Sequence, residues 1–426
     1  MTQIQGPSGD QPPSSDELTS NELTSDESGA DELSGVWDVV VVGAGPAGAS
    51  AAHAAASAIT ASGAAPRVLL LDKAAPPRYK TCGGGIIGPS RDALPAGFVL
   101  PLRDRVHAIT FSLDGRLQRT RRSKRMLFGL VNRDEFDQGL VQCAEKAGAV
   151  LATGVTVTGV RESSDETAVL TLQDGRTVTA RAVVGADGSA GRIGAHVGVT
   201  FDQVDLGLEA EIPVPPSVAA AWSGRVLLDW GGKIPGSYGW VFPKGDSLTV
   251  GVIAARGQGA ETRAYLKAFI ARLGLSGFTP SIESGHLTRC RAEGSPLAKG
   301  RVLVAGDAAG LLEPWTREGI SYALRSGRLA GEWAAKVAEA GDPTDVRRQA
   351  LNYAFAIKAG LGVEMRTGRK LMTAFEHRPQ AFHVAAVGLR PAWKAFARVV
   401  QGHTTFAGLT REHGLGRQTI DLLTRR

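Results

Sequence analysis

The sequence predicts an α/β fold: a parallel sheet interrupted by an inserted mainly-β region and followed by a helical C-terminal region. Three observations lead to this prediction. An apolar strand, a glycine turn and an alanine-rich helix begin at Trp37, hydrophobic strand segments dominate residues 201–285, and residues 328–402 read as largely helical. We therefore expect a discontinuous domain at 36–345 that carries the 201–285 insertion, and a helical region at 346–426.

An acidic tail precedes the first predicted strand. Residues 1–36 contain eight Asp or Glu and no Lys or Arg, which leaves 34 acidic against 48 basic residues, a net charge of +14, in the remainder of the 426-residue chain. Because residues 1–35 have little apolar content and repeat a loose Ser-Asp-Glu-Leu-Thr theme, we expect them to be disordered. The basic remainder has no aromatic-interleaved basic strand, so we expect no nucleic acid partner.

The cysteines and histidines indicate which disulfide and metal sites the chain could form. Cys82, Cys143 and Cys290 are widely spaced and form no C-x-x-C pair, which favours a reducing, cytoplasmic location over a disulfide framework. The eight histidines include no metal-ligand spacing, so we expect no bound metal. The apolar stretch 36–65 follows an acidic leader and is broken by glycines, a proline and a histidine, unlike a signal or membrane segment.

A glycine turn joins the first predicted strand to the first predicted helix. It reads Gly43-Ala-Gly45-Pro46-Ala47-Gly48. Gly43 allows a tight turn, Gly45 lets the backbone approach a pyrophosphate, and Gly48 lets the helix and strand pack closely. The N–H groups of the helix start then bind the anion, so the turn predicts a Rossmann-type site for a dinucleotide.

The end of the second predicted strand supports that site. Asp72, with Lys73 beside it, follows the strand Arg67–Leu71, where a carboxylate can accept hydrogen bonds from a ribose. A second literal glycine match, from Gly83 to Gly88, follows a loop instead of a strand. We therefore predict a single dinucleotide site.

Two later signatures favour FAD over NAD. One apolar strand ends in Ala186-Asp187-Gly188, and another ends in Gly306-Asp307-Ala-Ala-Gly310. Carboxylates at strand ends suit polyol hydroxyls, and Asp307 would meet the ribityl chain of a flavin. With the glycine turn, these signatures resemble the flavoprotein fold shared by aromatic hydroxylases, halogenases and geranylgeranyl reductases, which implies non-covalently bound FAD.

Two stretches resemble one branch of that fold, the geranylgeranyl reductase family. Residues 80–85, Lys-Thr-Cys-Gly-Gly-Gly, resemble its K-x-C-G-G-G segment, and residues 235–243 resemble its P-x-x-Y-x-W-x-F-P segment. The resemblance spans about residues 37–335. It implies hydride transfer from reduced FAD to C=C bonds of a polyprenyl chain on a chlorophyll precursor, an archaeal lipid or a quinone. The electron donor that it implies is either NADPH or a ferredoxin-like protein.

The first of these stretches supplies candidate residues around the flavin. Cys82, Gly83 and Gly84 would lie beside the isoalloxazine, with Cys82 as a proton donor, a redox gate or a small packing residue. Arg133, at a predicted helix start, resembles the arginine of this fold that reaches the FAD. A solvated charge at a helix end is the alternative for Arg133.

Aromatic residues predict the substrate pocket within the inserted sheet. Tyr238, Trp240 and Phe242 alternate along a strand and would project from one of its faces. With Pro243 and Trp315, they would form an apolar wall that binds the prenyl chain. Ordinary sheet core is the alternative for these residues.

The start of a later helix completes the predicted flavin site. Gly319 and Ile320 would place the positive end of the helix dipole at the pyrimidine edge of the flavin, where it stabilises the anionic reduced ring. Arg317 departs from the family's pattern, which has glycine there. We expect its charge to act on the flavin or on a substrate head group, and the sequence leaves that choice open.

An FAD-dependent monooxygenase or halogenase is the chief alternative, because the fold motifs are common to all these enzymes. Halogenases carry W-x-W-x-I-P on the strand where this chain has Tyr-Gly-Trp-Val-Phe-Pro at 238–243, and they lack the C-G-G-G segment. Both differences favour the reductase. A non-catalytic flavin-binding scaffold is a further alternative, supported only by the basic C-terminal helices.

A polyprenyl substrate implies a bilayer or a carrier as its source. In the C-terminal region, Lys370, Lys394 and Arg398 are interleaved with apolar residues. These apolar residues are Leu371, Met372, Phe375, Phe382, Trp393 and Phe396. The combination predicts reversible, peripheral binding at the inner face of the membrane. Packing of the apolar residues inside the protein is the alternative.

Overall fold

The computed structural model describes residues 33–59, 63–163, 166–230, 233–411 and 415–424. The chain divides into two units, Met1–Gly35 and Val36–Arg426. The predicted acidic tail, 1–35, lies outside the described residues except for its last three. All the helices and strands described for the chain belong to the second unit.

The second unit contains both strands and helices and ends in a run of helices. The strands are β1 (Val36–Val42), β2 (Val68–Asp72), β3 (Gly85–Ile86), β4 (Leu102–Val106), β5 (Ala108–Leu113), β6 (Arg116–Arg122), β7 (Phe128–Val131), β8 (Val150–Thr153), β9 (Val157–Glu162), β10 (Ala168–Leu172), β11 (Thr177–Gly185), β12 (Phe201–Pro213), β13 (Arg225–Trp230), β14 (Tyr238–Pro243), β15 (Ser247–Ala255), β16 (Ile282–Arg291), β17 (Ala298–Lys299) and β18 (Val302–Val304). The helices are α1 (Pro46–Ala56), α2 (Gly88–Asp92), α3 (Arg133–Lys146), α4 (Arg192–Val197), α5 (Pro216–Trp222), α6 (Gly259–Arg272), α7 (Ile320–Glu339), α8 (Pro343–Ala359), α9 (Leu361–His377), α10 (Pro379–Gly388), α11 (Arg390–Val400), α12 (Phe406–Arg411) and α13 (Leu415–Thr424).

The central sheet is parallel where it meets the predicted cofactor site. Its strands run β17-β18-β11-β1-β2-β8, and β1 is parallel to both β11 and β2. Val42, the last residue of β1, pairs with Gly185 and with Leu71. Gly185 in turn pairs with Val304. The glycine turn and the predicted strand-end carboxylates therefore follow strands that end at one edge of the sheet, where ligands bind in folds of this type.

Helices α1 and α7 pack at very short range. A Cβ atom added to Gly327 or Gly331 of α7 would lie 2.1 Å from the carbonyl oxygen of Ala47 or Ala51. Only glycine lets two helix backbones come this close. The contact fixes the start of α1 relative to the start of α7, and the sequence assigns both of these helix starts to the cofactor.

A second, mainly antiparallel sheet runs β16-β12-β15-β14-β13-β5-β6. It extends beyond the predicted 201–285 region at both ends, because β16 continues to Arg291 and β5 and β6 come from earlier in the chain. Strand β5 joins by parallel pairing with β13, which aligns Ala108 with Arg225. The predicted fold class, with its mainly-β insertion and helical C-terminal region, is confirmed.

The apolar residues of the C-terminal region that the sequence assigns to membrane contact turn inward. Leu371, Met372, Phe375, Phe382 and Trp393 are buried, and Phe396 is partly buried against them. The ring of Phe375 lies 5.7 Å from that of Trp230, on the second sheet. The prediction that these apolar residues bind a membrane is therefore wrong, because they cover the sheet. Among the residues that the structure describes, we find no helix with the length and apolarity needed to traverse a bilayer.

Candidate active site

The glycine turn lies where β1 ends and α1 begins. Gly43 has φ +101°, and a Cβ atom added to Gly48 would lie 1.7 Å from the Gly43 carbonyl oxygen, so the packing itself requires both glycines. A Cβ atom on Gly45 would meet nothing closer than Arg78 Nη2, at 3.6 Å. Gly45 precedes the first turn of α1 and lines a large cavity. Space at Gly45 is therefore available to a ligand.

Asp72 holds the glycine turn and faces the same cavity. Its Oδ2 accepts a hydrogen bond from Ala44 N at 2.6 Å, and its Oδ1 accepts one from Ala74 N at 2.9 Å. Because a carboxylate oxygen has two lone-pair positions, each oxygen retains one for a ligand hydroxyl. Asp72 and Lys73 both line the cavity, in agreement with the predicted ribose contact, which stays a prediction.

Asp187, after β11, caps a helix. Its Oδ2 accepts hydrogen bonds from Arg192 N at 2.6 Å and Ile193 N at 3.1 Å, at the start of α4. Burial raises the pKa of Asp187, and these backbone donors oppose the shift. Its Oδ1 is buried and has no hydrogen-bond partner among the described residues. A buried oxygen of this kind needs a donor, which a cofactor hydroxyl in the adjoining cavity would supply.

Asp307, in the turn after β18, is surrounded by basic side chains. His286 Nε2 lies 3.6 Å from Asp307 Oδ2. Burial alone would raise the pKa of Asp307, but its contact with His286 and the charges of Lys80 and Arg133 outweigh it and lower the pKa. Burial lowers the pKa of Lys80, and Asp307 opposes that shift. Neither Lys80 nor His286 is among the predicted site residues; Lys80 occupies the lysine position of the K-x-C-G-G-G segment, whereas His286 stands in no motif.

Arg133 begins α3 and is buried. Its Nε and Nη2 each donate to one oxygen of Asp137 at 2.8 Å, and the side chain is 10 % exposed. Burial lowers the pKa of Arg133, but the charge of Asp137 and, to a smaller extent, the proximity of Cys82 outweigh it, so the pKa is raised overall. A solvated charge at a helix end is thereby excluded. Arg133 and Cys82 both line the cavity.

Glu209 holds the C-G-G-G loop from the second sheet. Its Oε1 accepts hydrogen bonds from Cys82 N at 2.7 Å and from the Tyr79 hydroxyl at 2.9 Å, while its Oε2 has no partner among the described residues. Burial raises the pKa of Glu209, Glu211 adds to the shift, and Lys244 opposes it. The sequence predictions do not include Glu209. The sequence pattern that could have predicted Glu209 lies at residues 205–211, where acidic residues are interspersed with small and apolar ones along β12.

The predicted aromatic residues do share one face of β14. The ring centroids of Tyr238 and Trp240 are 6.0 Å apart, and those of Trp240 and Phe242 are 6.5 Å apart. A Cβ atom on Gly83 would lie 2.7 Å from Phe242, so the glycine lets the loop rest on this aromatic face. Pro243 ends the strand and does not contribute to the cavity wall.

The loop before α7 contacts the second sheet and the C-terminal helices. The Tyr238 hydroxyl donates to the Thr316 carbonyl at 2.5 Å, and Trp315 packs among Phe375, Phe382 and Phe406 with ring centroids 5.1–6.0 Å away. Arg317 Nη1 donates to the Trp315 carbonyl at 2.8 Å, and its guanidinium pairs with Asp205. The expectation that Arg317 supplies charge to the flavin or a head group is therefore corrected, because a buried carboxylate already neutralises it.

A carboxyl group with a raised pKa lies at the end of this loop. Glu318 accepts hydrogen bonds from the backbone N–H of Ser321 at 2.7 Å and from the Ser321 hydroxyl. Burial raises the pKa of Glu318 to about 7, although the Ser321 donors and Arg325 oppose the shift. Gly319 and Ile320, the predicted flavin contacts, follow directly and begin α7.

One cavity of about 1000 Å³ unites these groups. Of the predicted site residues, Gly48, Gly306 and Pro243 lie outside its lining. The predicted residues that line it are Gly43, Gly45, Pro46, Ala47, Asp72, Lys73, Cys82, Gly83, Gly84, Arg133, Asp187, Tyr238, Trp240, Phe242, Asp307, Trp315, Gly319 and Ile320. An open helix start, strand-end carboxylates and an unpartnered buried oxygen fit the pyrophosphate, ribose and ribityl groups of FAD.

Comparison with known proteins agrees with this chemistry. A family model described as FAD binding domain matches residues 100–340, more than half of the chain. Two solved structures share the fold. A geranylgeranyl bacteriochlorophyll reductase-like protein of Thermoplasma acidophilum matches with TM-score 0.71 and 21 % identity, over 91 % of this chain and 99 % of that one. A flavin-dependent halogenase matches with TM-score 0.63 and 18 % identity, over 92 % of this chain and 73 % of that one. The fold and the site thus define an FAD-dependent oxidoreductase.

Curated relatives identify the family within the FAD-dependent oxidoreductases. The chain is 32 % identical over 330 residues to the geranylgeranyl diphosphate reductase of Rhodobacter capsulatus, covering 73 % of this chain and 78 % of the relative. It is 31 % identical over 316 residues to the menaquinone reductase of Mycolicibacterium smegmatis, covering 69 % and 75 %. The chain therefore belongs to the geranylgeranyl reductase family of FAD-dependent oxidoreductases.

Proposed function

We propose that this protein reduces C=C bonds in a polyprenyl chain, of the geranylgeranyl or quinone type, with FAD as its cofactor. The observation that supports this most directly is the continuity of the cavity. The same cavity is lined by Gly45 and Asp187 and by the aromatic residues Trp230, Phe375 and Phe406. Aromatic walls of this kind suit an uncharged hydrocarbon chain, because burying it removes apolar surface from water.

The residues around the C-G-G-G loop suggest which group would protonate the prenyl substrate. When bound, reduced FAD supplies a hydride to one alkene carbon, and a proton must reach the other. We assign that proton to the Cys82 thiol, which lines the cavity and accepts a hydrogen bond from Gly84 N at 3.4 Å. Trp240 and Phe242 pack beside the loop and would exclude water from the alkene.

The electron donor and the cellular location are proposed from the nucleotide motif and the cysteines. Either NADPH or a ferredoxin-like protein would reduce the FAD, and the single nucleotide motif at Gly43–Gly48 weakens the case for a dedicated nicotinamide site. Cys82, Cys143 and Cys290 are free thiols. They support a reducing, cytoplasmic location, and a prenyl substrate supports peripheral contact at the inner face of the membrane.

Anaerobic turnover with candidate lipids tests the proposed function. The FAD-loaded protein is photoreduced under argon and mixed with geranylgeranyl-bearing lipids or menaquinones, and the products are analysed by mass spectrometry. We expect a gain of two hydrogen atoms for each reduced double bond. Protein carrying Gly45→Val, which removes space for the cofactor, serves as the control and should leave the lipids unchanged.

The same assay in air examines the monooxygenase and halogenase alternative. Oxygen consumption coupled to a hydroxylated or halogenated product, with no saturation of the prenyl chain, would overturn the reductase proposal. Full binding of FAD without reduction by any donor would instead favour a non-catalytic scaffold.

A further inference from the structure

An edge strand of the second sheet concentrates positive charge. Strand β6 ends the strand order of this sheet, and residues 116–125 contain six Lys or Arg and no Asp or Glu. Arg121 is half-buried; the others, Arg116, Arg119, Arg122, Lys124 and Arg125, are exposed. Edge strands often carry charge because it prevents pairing with other sheets. That reason accounts for the charge but not for the apolar residues beside it.

Three aliphatic side chains are exposed next to the basic strand. Leu117, Val384 and Leu389 are 70 %, 58 % and 42 % exposed. Leu117 also has φ +47°, in the left-handed region that disfavours residues with a side chain. His383 Nε2 lies 2.9 Å from the Leu117 carbonyl and holds this conformation against α10. The protein thus accepts local strain at a leucine whose side chain lies in water.

Strand β6 packs against α10, and α11 follows α10 directly in the chain. The Arg121 guanidinium donates to the carbonyl groups of Ala386 and Val387, at the end of α10. Arg390 and Lys394 are exposed on α11 and are four residues apart, so they share one side of that helix. We call this surface the basic face; it comprises residues 116–125, Val384, Leu389, Arg390 and Lys394.

We propose that the basic face docks on an anionic lipid bilayer. Its exposed basic side chains form no ion pair within the described part of the chain, so their charge is available to lipid head groups. Leu117, Val384 and Leu389 would enter the apolar layer beneath those head groups. An acidic protein would match the charge but would leave the aliphatic side chains without an apolar environment.

Apolar residues of α11 and of β5, the strand that pairs with β6, line the cavity. Ile109 of β5 and Phe396 and Val399 of α11 line it. Docking would therefore bring a bilayer close to the compartment that we propose for a prenyl chain. This link rests on the proposed function, whereas the docking itself does not.

Sedimentation with vesicles tests the docking. The full-length, FAD-loaded protein is mixed with vesicles of phosphatidylglycerol and phosphatidylcholine, or of phosphatidylcholine alone, in low and high salt. We expect pelleting with the anionic vesicles in low salt, and much less with the neutral ones or in high salt. The vesicles contain no prenyl substrate, so the result does not depend on catalysis.

Charge reversal locates the surface. Arg119→Glu, Arg122→Glu and Lys124→Glu together should weaken binding to anionic vesicles by about ten-fold or more, because repulsion replaces attraction at three positions. The matched control reverses three exposed basic residues outside the second sheet, with Lys146→Glu, Arg161→Glu and Lys299→Glu, and should bind as the wild type does. Circular dichroism and the flavin absorption spectrum verify that each variant is folded.

Removal of the aliphatic side chains distinguishes docking on a bilayer from binding to an acidic protein. Leu117→Ser with Val384→Ser should weaken vesicle binding several-fold while the charge is unchanged. The proposal is overturned if the wild type does not pellet with anionic vesicles, or if the control variant loses binding as fully as the β6 variant. It is equally overturned if the basic face captures a small acidic ferredoxin and no vesicles. Failure of prenyl reduction with vesicle binding intact would contradict only the proposed function.

Discussion

Arg317 and Asp205 form a buried ion pair beneath the loop that precedes α7. Arg317 Nε lies 3.2 Å from Asp205 Oδ2, and both side chains are 2 % exposed. Arg317 has φ +54°, a conformation that glycine adopts freely and that the family's pattern provides with glycine at this position. In this chain the loop is therefore held to β12 by charge, at the cost of backbone strain.

Removal of one partner of this pair should destabilise the protein strongly. We expect Asp205→Asn to lower the free energy of unfolding by about 3–5 kcal/mol, because it leaves the Arg317 charge buried without its counter-ion. Arg317→Gly should cost less than Arg317→Ala, since glycine relieves roughly 1–2 kcal/mol of left-handed strain. Urea unfolding of each variant measures these differences.

The double variant and a surface pair provide the controls. Asp205→Asn with Arg317→Gly should be less destabilising than the sum of the two single changes, because no buried charge remains unpaired. Arg328→Gln, which breaks an exposed pair with Glu332, should leave the unfolding midpoint nearly unchanged. Additive losses in the double variant would contradict the importance of the ion pair.

Two glycines of the first turn should respond differently to substitution. Gly45→Val should give a folded protein that has lost most of its FAD, because the added side chain has space in the structure but would occupy the place of the pyrophosphate. Gly48→Ala should impair folding itself, because its Cβ atom would collide with the Gly43 carbonyl. Flavin absorbance per folded protein measures the first effect, and circular dichroism measures the second.

Gly277→Val is the matched control for the glycine substitutions. An added Cβ atom there meets no atom within 4 Å, and the residue does not line the cavity. It should bind FAD as the wild type does. Retention of FAD by Gly45→Val would show that the cofactor does not approach the chain at this turn.

The sequence predicts the parts of the site whose chemistry is local. The turn Gly43–Gly48 and the aspartates after strands are recognisable because turn, strand end and ligand chemistry lie within a few residues. Glu209 reaches Cys82 across 127 positions, and Asp205 reaches Arg317 across 112. No local pattern specifies such contacts. The apolar residues around Phe375 have the same spacing whether they face a membrane or a core, so their sequence pattern leaves that choice open.

Glu318 should make a contribution to the stability of the flavin-free protein that falls as the pH rises towards neutrality. Glu318 has an ordinary pKa of 4.5 when unfolded and about 7 when folded, so between these values the folded state binds the extra proton. Its contribution is complete below pH 4.5 and is lost as the pH rises through about 7. Glu318→Gln should flatten this dependence. Thermal unfolding midpoints at about pH 5 and about pH 8 test it, and equal slopes in both proteins would contradict it.

Cys82→Ala should separate the two half-reactions. If the thiol protonates the prenyl carbon, its loss should slow alkene reduction by about 100-fold, a typical contribution of a general acid, and leave flavin photoreduction unchanged. Stopped-flow mixing of pre-reduced enzyme with a prenyl lipid, followed by flavin reoxidation, measures the first rate. Cys143→Ala, at a thiol outside the cavity lining, is the control. Equal rates for both alanine variants would assign Cys82 to packing.

Glu209 should act on the reaction by positioning the C-G-G-G loop. Glu209→Gln keeps an oxygen that can accept from Cys82 N and from the Tyr79 hydroxyl, whereas Glu209→Ala removes it. We expect the alanine variant to slow alkene reduction and to shift the flavin absorption spectrum, because the loop beside the cofactor loses its anchor. The glutamine variant should restore both. If the glutamine variant is as slow as the alanine variant and its spectrum is unshifted, the Glu209 carboxyl itself exchanges a proton. Burial raises the pKa of this carboxyl, and its Oε2 has no partner among the described residues.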